Sequence, residues 1–373
     1  MLYIVYTSYK PNQAPTNRVL AILKGLDELG IKASFVLLYP NSEADRVEAN
    51  KFKNIDVVYL WDKRKWRNKT YKFLASFIDA RHFAKSLNKG DTVILFGCSA
   101  YVRFFTSVQG VRVYQERTEH PQINPAELPF LQKRYLKCIP RLDGMFVISE
   151  GLKKVMEEYG AKNVHVINML VDSTRFDGLH KTTNEKYIAY CGTASNNKDG
   201  VDNLIKAFAI LASSHPEVKL KIMGKAPTTD DESGNLKLVE ELGIKEKVDF
   251  TGIVKAEDMP QMLKNATVVA LARPDSIQAR CGFPTKLGEY LLSENPVVVT
   301  KVGDIPLFLK DGETALMVEP DDIKGFADKL IWAIDNPEKA TTIGRNGAKV
   351  ALAEFNYRRE SEKVFNTITK DNE

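Results

Sequence analysis

The chain has 373 residues, 44% of them hydrophobic and 27% charged, which excludes a disordered or fibrous polymer and is too long for one ordinary core, so two domains are expected. A net charge of +5 with a pI near 8.7 is too mild for a protein with a continuous basic face for duplex binding, so no nucleic-acid partner is expected. The four cysteines, Cys98, Cys138, Cys191 and Cys281, form no CxxC pair, which argues against a zinc knuckle or a disulfide framework and for a reducing, cytoplasmic compartment.

The opening MLYIVYTSYK enters a short apolar run without a basic leader or cleavage site, so it reads as a strand over 2–7. The loop SYKPNQAPTNR follows, with Thr16 as the expected N-cap of a helix over 17–29 in which Val19, Ile22, Leu23, Leu26 and Leu29 recur at helical spacing before Gly30. Further strands are expected at 34–39 and 55–60, completing parallel βα units. The next stretch, WDKRKWRNKTYKF at 61–73, interleaves Lys63, Arg64, Lys65, Arg67, Lys69 and Lys72 with Trp61, Trp66, Tyr71 and Phe73. Two readings fit it: a solvated basic helix, or a patch for an anionic membrane surface, where each cation is worth about 1 kcal/mol. No run approaches the roughly 20 apolar residues of a membrane-spanning helix, so a membrane is expected to be touched from one side only.

A strand at 93–96 precedes VYQERTEHP, in which a short strand leads into a polar loop carrying Glu116, Glu119 and His120. Strands at 145–148 and 164–167 close the first half, and the polar, patternless DSTRFDGLHKTTNEK at 172–186 reads as a linker. The second half repeats the architecture with strands at 187–191, 218–223, 248–250, 268–271 and 297–300. The fold class expected is α/β, two Rossmann-like doubly wound parallel-sheet domains facing across a cleft, 1–172 and 186–352, with a final helix at about 353–373 that can pack back onto the first domain. Such sheets place ligands beyond the carboxyl ends of their strands.

Two segments of the second half carry chemistry. In YCGTASNNKDGVDNLIKAF a strand ends at Cys191, Gly192 permits a close turn, and Lys198 precedes Gly200 and a helix with Val201, Leu204, Ile205 and Phe208 on one side. In RCGFPTKLGEYLLSENPVVVT, Pro284 suits the first helical position, and Lys286 and Glu289 lie three apart on one face of the helix it opens. A helix start with free N–H groups and an ammonium suits a diphosphate, and an ionised carboxylate one turn on suits ribose hydroxyls. The competing reading of the pair is a solvated helix face. The acids of TTDDESGN have no partner His and read as solvated, so no metal is expected.

The two segments resemble the family 4 retaining glycosyltransferases of the GT-B fold, bacterial polysaccharide-assembly type, whose donor motif runs as Glu, seven residues, Glu, a turn and a Pro-Val-Val strand. The second Glu falls on Glu289; the first falls on Cys281, a departure, and Thr193 stands where an Arg usually follows the Gly of the loop. Further marks are VISEGLKKVMEEYG, INMLVDSTRF, VDFTGIV and DGETALMVEPDDIKGFADKL, spread in family order over most of 140–335. The resemblance implies transfer, with retention, of a sugar from a nucleoside diphosphate sugar, UDP favoured over GDP, to a hydroxyl of a glycan or lipid-linked glycan in surface polysaccharide biosynthesis. No separate cofactor is implied. Donor contacts would come from Gly192, Thr193, Lys198, Gly252, Ile253, Val254, Phe283, Pro284, Thr285, Lys286, Leu287 and Glu289. Lys198, Lys286 and Glu289 would act in the reaction with His120, which would hydrogen-bond the transferred sugar. On the acceptor side the candidates are Asn17, Arg18, Glu116 and Glu119. Rival readings are a sugar-nucleotide epimerase or a noncatalytic sugar-nucleotide-binding protein on the same scaffold; a nicotinamide-dependent dehydrogenase is disfavoured because no GxGxxG follows an expected strand.

Overall fold

The computed structural model describes residues 1–7, 9–11, 13–39, 46–47, 51–61, 69–121 and 129–370. The chain divides into two compact units, Met1–Leu170 together with the C-terminal segment from Tyr357, and Val171–Asn356.

The first unit holds β1 (Leu2–Tyr6), β2 (Ala33–Leu37), β3 (Ile55–Tyr59), β4 (Thr92–Phe96), β5 (Arg112–Arg117), β6 (Gly144–Val147) and β7 (Val164–Val166). They form one parallel sheet in the order β3-β2-β1-β4-β5-β6-β7. The helix Ala14–Glu28 has Pro15 in its first turn, where its missing N–H costs nothing, and buries Val19, Ile22, Leu23 and Leu26 against β1 and β2. It starts three residues earlier than its apolar spacing indicates. Thr16 is not its N-cap: Gln13 occupies that place without a side-chain bond, and the buried Thr16 hydroxyl accepts from the Lys10 amide at 3.3 Å and meets Tyr6 OH at 3.2 Å.

The last helix, Tyr357–Lys370, also belongs to this unit. Val364 and Ile368 enter the core around β1, and the Ser361 hydroxyl donates to Ile22 O at 3.2 Å, where Gly25 supplies the room a Cβ would fill. In the basic stretch, 62–68, with Lys63, Arg64, Lys65, Trp66 and Arg67, lies outside the described residues. Trp61 is buried edge-on against Tyr59, and Phe73 packs on Phe77, whereas Tyr71, Leu74 and Ile78 stand exposed along the helix Lys69–Ser86.

The second unit holds β8 (Tyr187–Cys191), β9 (Lys219–Met223), β10 (Val248–Gly252), β11 (Val268–Leu271), β12 (Val297–Thr300) and β13 (Leu316–Val318), parallel in the order β10-β9-β8-β11-β12-β13. Every residue of β8, β11 and β12 is buried, as expected for a parallel sheet covered on both faces, which is why PVVVT reads as an unbroken apolar run. The segment 172–186 is not a free linker. It lies in the second unit and contains a helical turn, Ser173–Phe176, capped by Asp172. The acids of TTDDESGN open the helix Thr229–Glu241: Thr228 caps it, accepting from the Asp231 amide at 3.1 Å, and Asp230, Asp231 and Glu232 fill the first turn, where the helix dipole favours negative charge.

Strand order reverses between β1 and β4 in one sheet and between β8 and β11 in the other. In doubly wound sheets the ligand lies beyond the strand ends at such a reversal.

Candidate functional site

The carboxyl ends of β8, β11 and β12 meet at the reversal in the second sheet, and the residues that follow β8 and β11 converge there. Beyond β8, Gly192 turns the chain at φ +137°, and the turn is closed by Tyr190 OH donating to Thr193 O at 2.6 Å. A Cβ at Gly192 would collide with the Lys286 ammonium, so the glycine is what lets that side chain lie under the turn. Ser195 then caps the single turn Asn196–Asp199, which ends at Gly200, φ +66°, pressed against Ala272 O just past β11. Only glycine fits that close approach in the left-handed region.

The helix that carries the motif pair runs Lys286–Leu292, starting two residues later than Pro284 and lasting seven residues. Its Lys286 Nζ donates to Asp199 Oδ2 at 2.5 Å and to Tyr190 OH at 2.9 Å. Tyr190 OH lies 2.9 Å from Asp199 Oδ2, and Arg273 Nε stands 3.8 Å from Asp199 Oδ1 while donating to Lys198 O at 3.1 Å. Asp199 and Arg273 are each 2% exposed. Lys286 is therefore not a solvated helix lysine but one member of a buried group of two cations and one carboxylate.

The electrostatics follow from that count. Burial works to raise the Asp199 carboxyl, but the Lys286 ammonium, Arg273 and the Tyr190 hydroxyl outweigh it and hold it below its ordinary value. Burial pushes the Lys286 ammonium down, with Arg273 adding to that effect and Asp199 opposing it. The carboxyl falls because its cationic and hydroxyl partners outweigh its burial, whereas the ammonium falls because its burial outweighs its carboxylate partner.

Glu289, one turn beyond Lys286, is half-buried and paired with Arg175 Nη1, while Arg175 Nη2 donates to Ala256 O. Arg175 sits in the helical turn Ser173–Phe176, inside the stretch whose composition reads as linker; the mark INMLVDSTRF contains it, but no periodicity singles it out as a site residue. Asp199 and Arg273 were likewise absent from the expected set. Their signals were the acid beside Lys198 in NKDG and a lone arginine following the apolar run VVALA.

The other expected donor residues divide by burial. Phe283 is in an aromatic cluster with Phe308 and Phe355, at 5.6 and 5.5 Å between ring centroids, and Leu287 is fully buried, so their side chains serve the core and only their backbone is left for a ligand. Thr285 and Thr193 are exposed, Pro284 is buried, and Lys198 is half-buried. Gly252 ends β10 at φ +68°, Ile253 after it is 81% exposed, and Val254 is half-buried. Cys281, where the family motif has a Glu, is buried at the end of the short helix Ile277–Cys281.

In the first unit, two acceptor-side candidates turn out to serve each other. Arg18 Nε donates to Glu116 Oε1 at 2.5 Å, and its Nη1 and Nη2 donate to Asn168 O at 2.8 Å and Ile167 O at 2.9 Å, with both side chains buried. The pair joins the helix Ala14–Glu28 to β5 and the end of β7, a structural tie that Arg18 and Glu116 make whatever they do on the acceptor side. Asn17 and Glu119 are exposed, and Glu119 O accepts from Arg117 Nε at 2.8 Å. His120 is half-buried, and burial together with the Arg117 guanidinium lowers its imidazole below the usual value, favouring the neutral ring.

Residues 172–350 match the family described as Glycosyl transferases group 1. Several solved structures superpose along the whole chain. That of Anabaena Alr3699/HepE in complex with UDP-glucose aligns with a TM-score of 0.77 at 16% identity, covering 99% of this chain and 100% of that one. TarM aligns at 0.77 and 12%, covering 98% of each. The fold is GT-B. Among curated relatives, an MMP alpha-(1->4)-mannosyltransferase of Mycolicibacterium hassiacum is 26% identical over 230 residues, 61% of this chain and 53% of that protein. The capsular polysaccharide biosynthesis glycosyltransferase CapM of Staphylococcus aureus is 30% identical over 200 residues, 52% of this chain and 50% of its own length. The chain thus spans about half the length of the curated relatives it matches. No helix of the described residues is long and apolar enough to cross a membrane.

Proposed function

We propose that the protein is a retaining glycosyltransferase that moves a sugar from a nucleoside diphosphate sugar, UDP-linked by preference, to a hydroxyl of a glycan or lipid-linked glycan in surface polysaccharide biosynthesis at the cytoplasmic face of a membrane. The observation that carries the reading is the buried Lys286–Asp199–Arg273 cluster at the strand-order reversal of the unit that matches the glycosyltransferase family. The acceptor class draws its support from the capsular relative, and the choice of UDP from structural neighbours solved with that nucleotide.

In this reading the diphosphate lies over the Gly192–Lys198 turn. The bond from the anomeric carbon to the β-phosphate oxygen breaks, negative charge grows on that phosphate, and the ammonium groups of Lys198 and Lys286 stabilise it. The acceptor oxygen bonds to the anomeric carbon, and its proton passes to the departing phosphate, so neither a protein base nor a metal is needed. Glu289, oriented by Arg175, accepts hydrogen bonds from the donor; the backbone of Gly252, Ile253 and Val254 faces the nucleobase; and neutral His120 hydrogen-bonds the transferred sugar. Membrane contact falls to the 61–73 stretch, with its exposed Tyr71, and to the exposed Leu74 and Ile78 beside it. Charge reversal in 61–73 that leaves sedimentation with anionic liposomes unchanged refutes that part.

The test of the main reading is a thermal-shift and turnover series. A bound sugar nucleotide at a hundred times its Kd adds about 2.7 kcal/mol to stability, and turnover with an acceptor releases nucleoside diphosphate whatever the metal content. No shift with any UDP or GDP sugar refutes the reading. Release that stops with a chelator refutes metal independence, and inversion at the anomeric carbon, read by NMR of the product, refutes retention.

A further inference from the structure

The group of charges beneath the Lys198 turn is unbalanced in a way that the pairing of Lys286 with Asp199 does not resolve. Two cations, Lys286 and Arg273, share one carboxylate, and Arg273 is 2% exposed. A desolvated charge without a full partner is unfavourable. Arg273 Nη1 adds to this: it is buried and has no hydrogen-bond partner among the described residues. A buried charged donor left unmade costs more than a neutral one. The cost of the uncompensated charge falls when negative charge arrives nearby.

The position of Arg273 shows where that charge would be felt. Its carbonyl accepts from Thr300 Oγ1 at 2.8 Å, tying it to the end of β12, and its Nε holds Lys198 O at 3.1 Å. Gly200 rests on the carbonyl of the preceding residue, Ala272. Arg273 is thus joined to the backbone of the turn that carries Lys198, on the inner side, away from solvent.

We propose that Arg273 is a positioning residue of the donor site, acting from beneath the Lys198 turn as the buried second cation that fixes the turn and leaves a net positive charge for a nucleoside diphosphate. It touches no ligand itself. Its charge acts through Asp199 and Lys286, and its donor acts through the Lys198 carbonyl, so its contribution belongs to the phosphates and not to the nucleoside. This inference rests on the donor-site reading above.

The experiment compares binding of UDP and of uridine, by titration calorimetry, to the wild-type full chain, Arg273→Gln and Arg273→Lys; if the wild type prefers GDP, GDP and guanosine take their place. Arg273→Gln is expected to weaken UDP by about tenfold or more, the scale for loss of one partner in a buried charge group, with uridine changed by less than about threefold. Arg273→Lys, which keeps the charge, is expected to stay within about threefold of wild type for UDP. Parallel loss of UDP and uridine marks a merely structural role and overturns the proposal, as does unchanged UDP binding in folded Arg273→Gln. Should Arg273→Gln fail to fold, Arg273→Lys decides: a roughly tenfold loss of UDP in that folded protein sinks the charge argument. Wild-type protein that binds neither UDP nor GDP removes the donor-site reading and this inference together. Binding by wild type that is indifferent to Arg273 removes this inference alone.

Discussion

Replacing Asp199 by Ala leaves Lys286 and Arg273 facing each other across a buried space with no carboxylate between them. The carboxylate is 2% exposed, lies 2.5 Å from the Lys286 ammonium and 2.9 Å from Tyr190 OH, and is the acid that offsets both cations. Removing one partner of such a buried group costs about 3–5 kcal/mol, because the remaining charges stay desolvated. The upper part of that range applies, since two cations rather than one lose their counter-charge. At about 2–4 °C per kcal/mol for a unit of this size, the melting point of the second unit should fall by roughly 8–20 °C.

The assay should read that unit alone. Trp332 lies in it, in the helix Ile323–Asp335, and the other two tryptophans, Trp61 and Trp66, belong to the first half. A Trp61→Phe, Trp66→Phe background therefore makes tryptophan fluorescence a reporter of the second unit in urea unfolding. Asp199→Ala combined with Lys286→Met removes one charge of each sign and should restore about 1–3 kcal/mol of the loss, the coupling expected for residues in one network. An Asp199→Ala cost below about 1 kcal/mol, in the range of surface substitutions, would refute the claim that this carboxylate organises the site.

The same carboxylate sets an acid limit. Because its folded value is held below its unfolded one, its contribution is complete above the unfolded value of about 4 and is lost as the pH falls through the lower, folded value. The stability of the second unit should therefore drop below about pH 4, with a shallower drop in Asp199→Asn; equal slopes in both proteins count against the shift. Arg18→Met strands the Glu116 carboxylate and two carbonyls, so it should cost the first unit about 3–5 kcal/mol in denaturation, and a normal midpoint with a raised acceptor KM would give Arg18 an acceptor role in place of the structural one. Arg175→Gln frees Glu289 at a part-exposed pair, so the stability cost should stay near 1 kcal/mol while UDP-sugar affinity falls by several fold; unchanged affinity in calorimetry removes Arg175 from the site.

What the sequence displays and what it hides separate along a physical line. The apolar runs that became β8, β11 and β12 were legible because a strand covered on both faces must be apolar at every position, and that constraint acts residue by residue. Gly192 and Gly200 were legible for a related reason, since a turn at positive φ names its residue locally. β13 has three residues, Leu316–Val318, and a run that short carries no period to read. Polar partnerships obey no local rule. Lys286 finds Asp199 at a separation of 87 residues, Arg273 finds Lys198 O at 75, and Arg18 finds Glu116 at 98. Arg175 shows the consequence most plainly: a polar helical turn has no apolar period, so composition assigns it to a linker, yet its guanidinium reaches Glu289, 114 residues on. A charged side chain in sequence announces only that a counter-charge is needed. Which one answers is decided by the strand order, and here the reversal between β8 and β11 brings Asp199, Arg273 and Lys286 to one point.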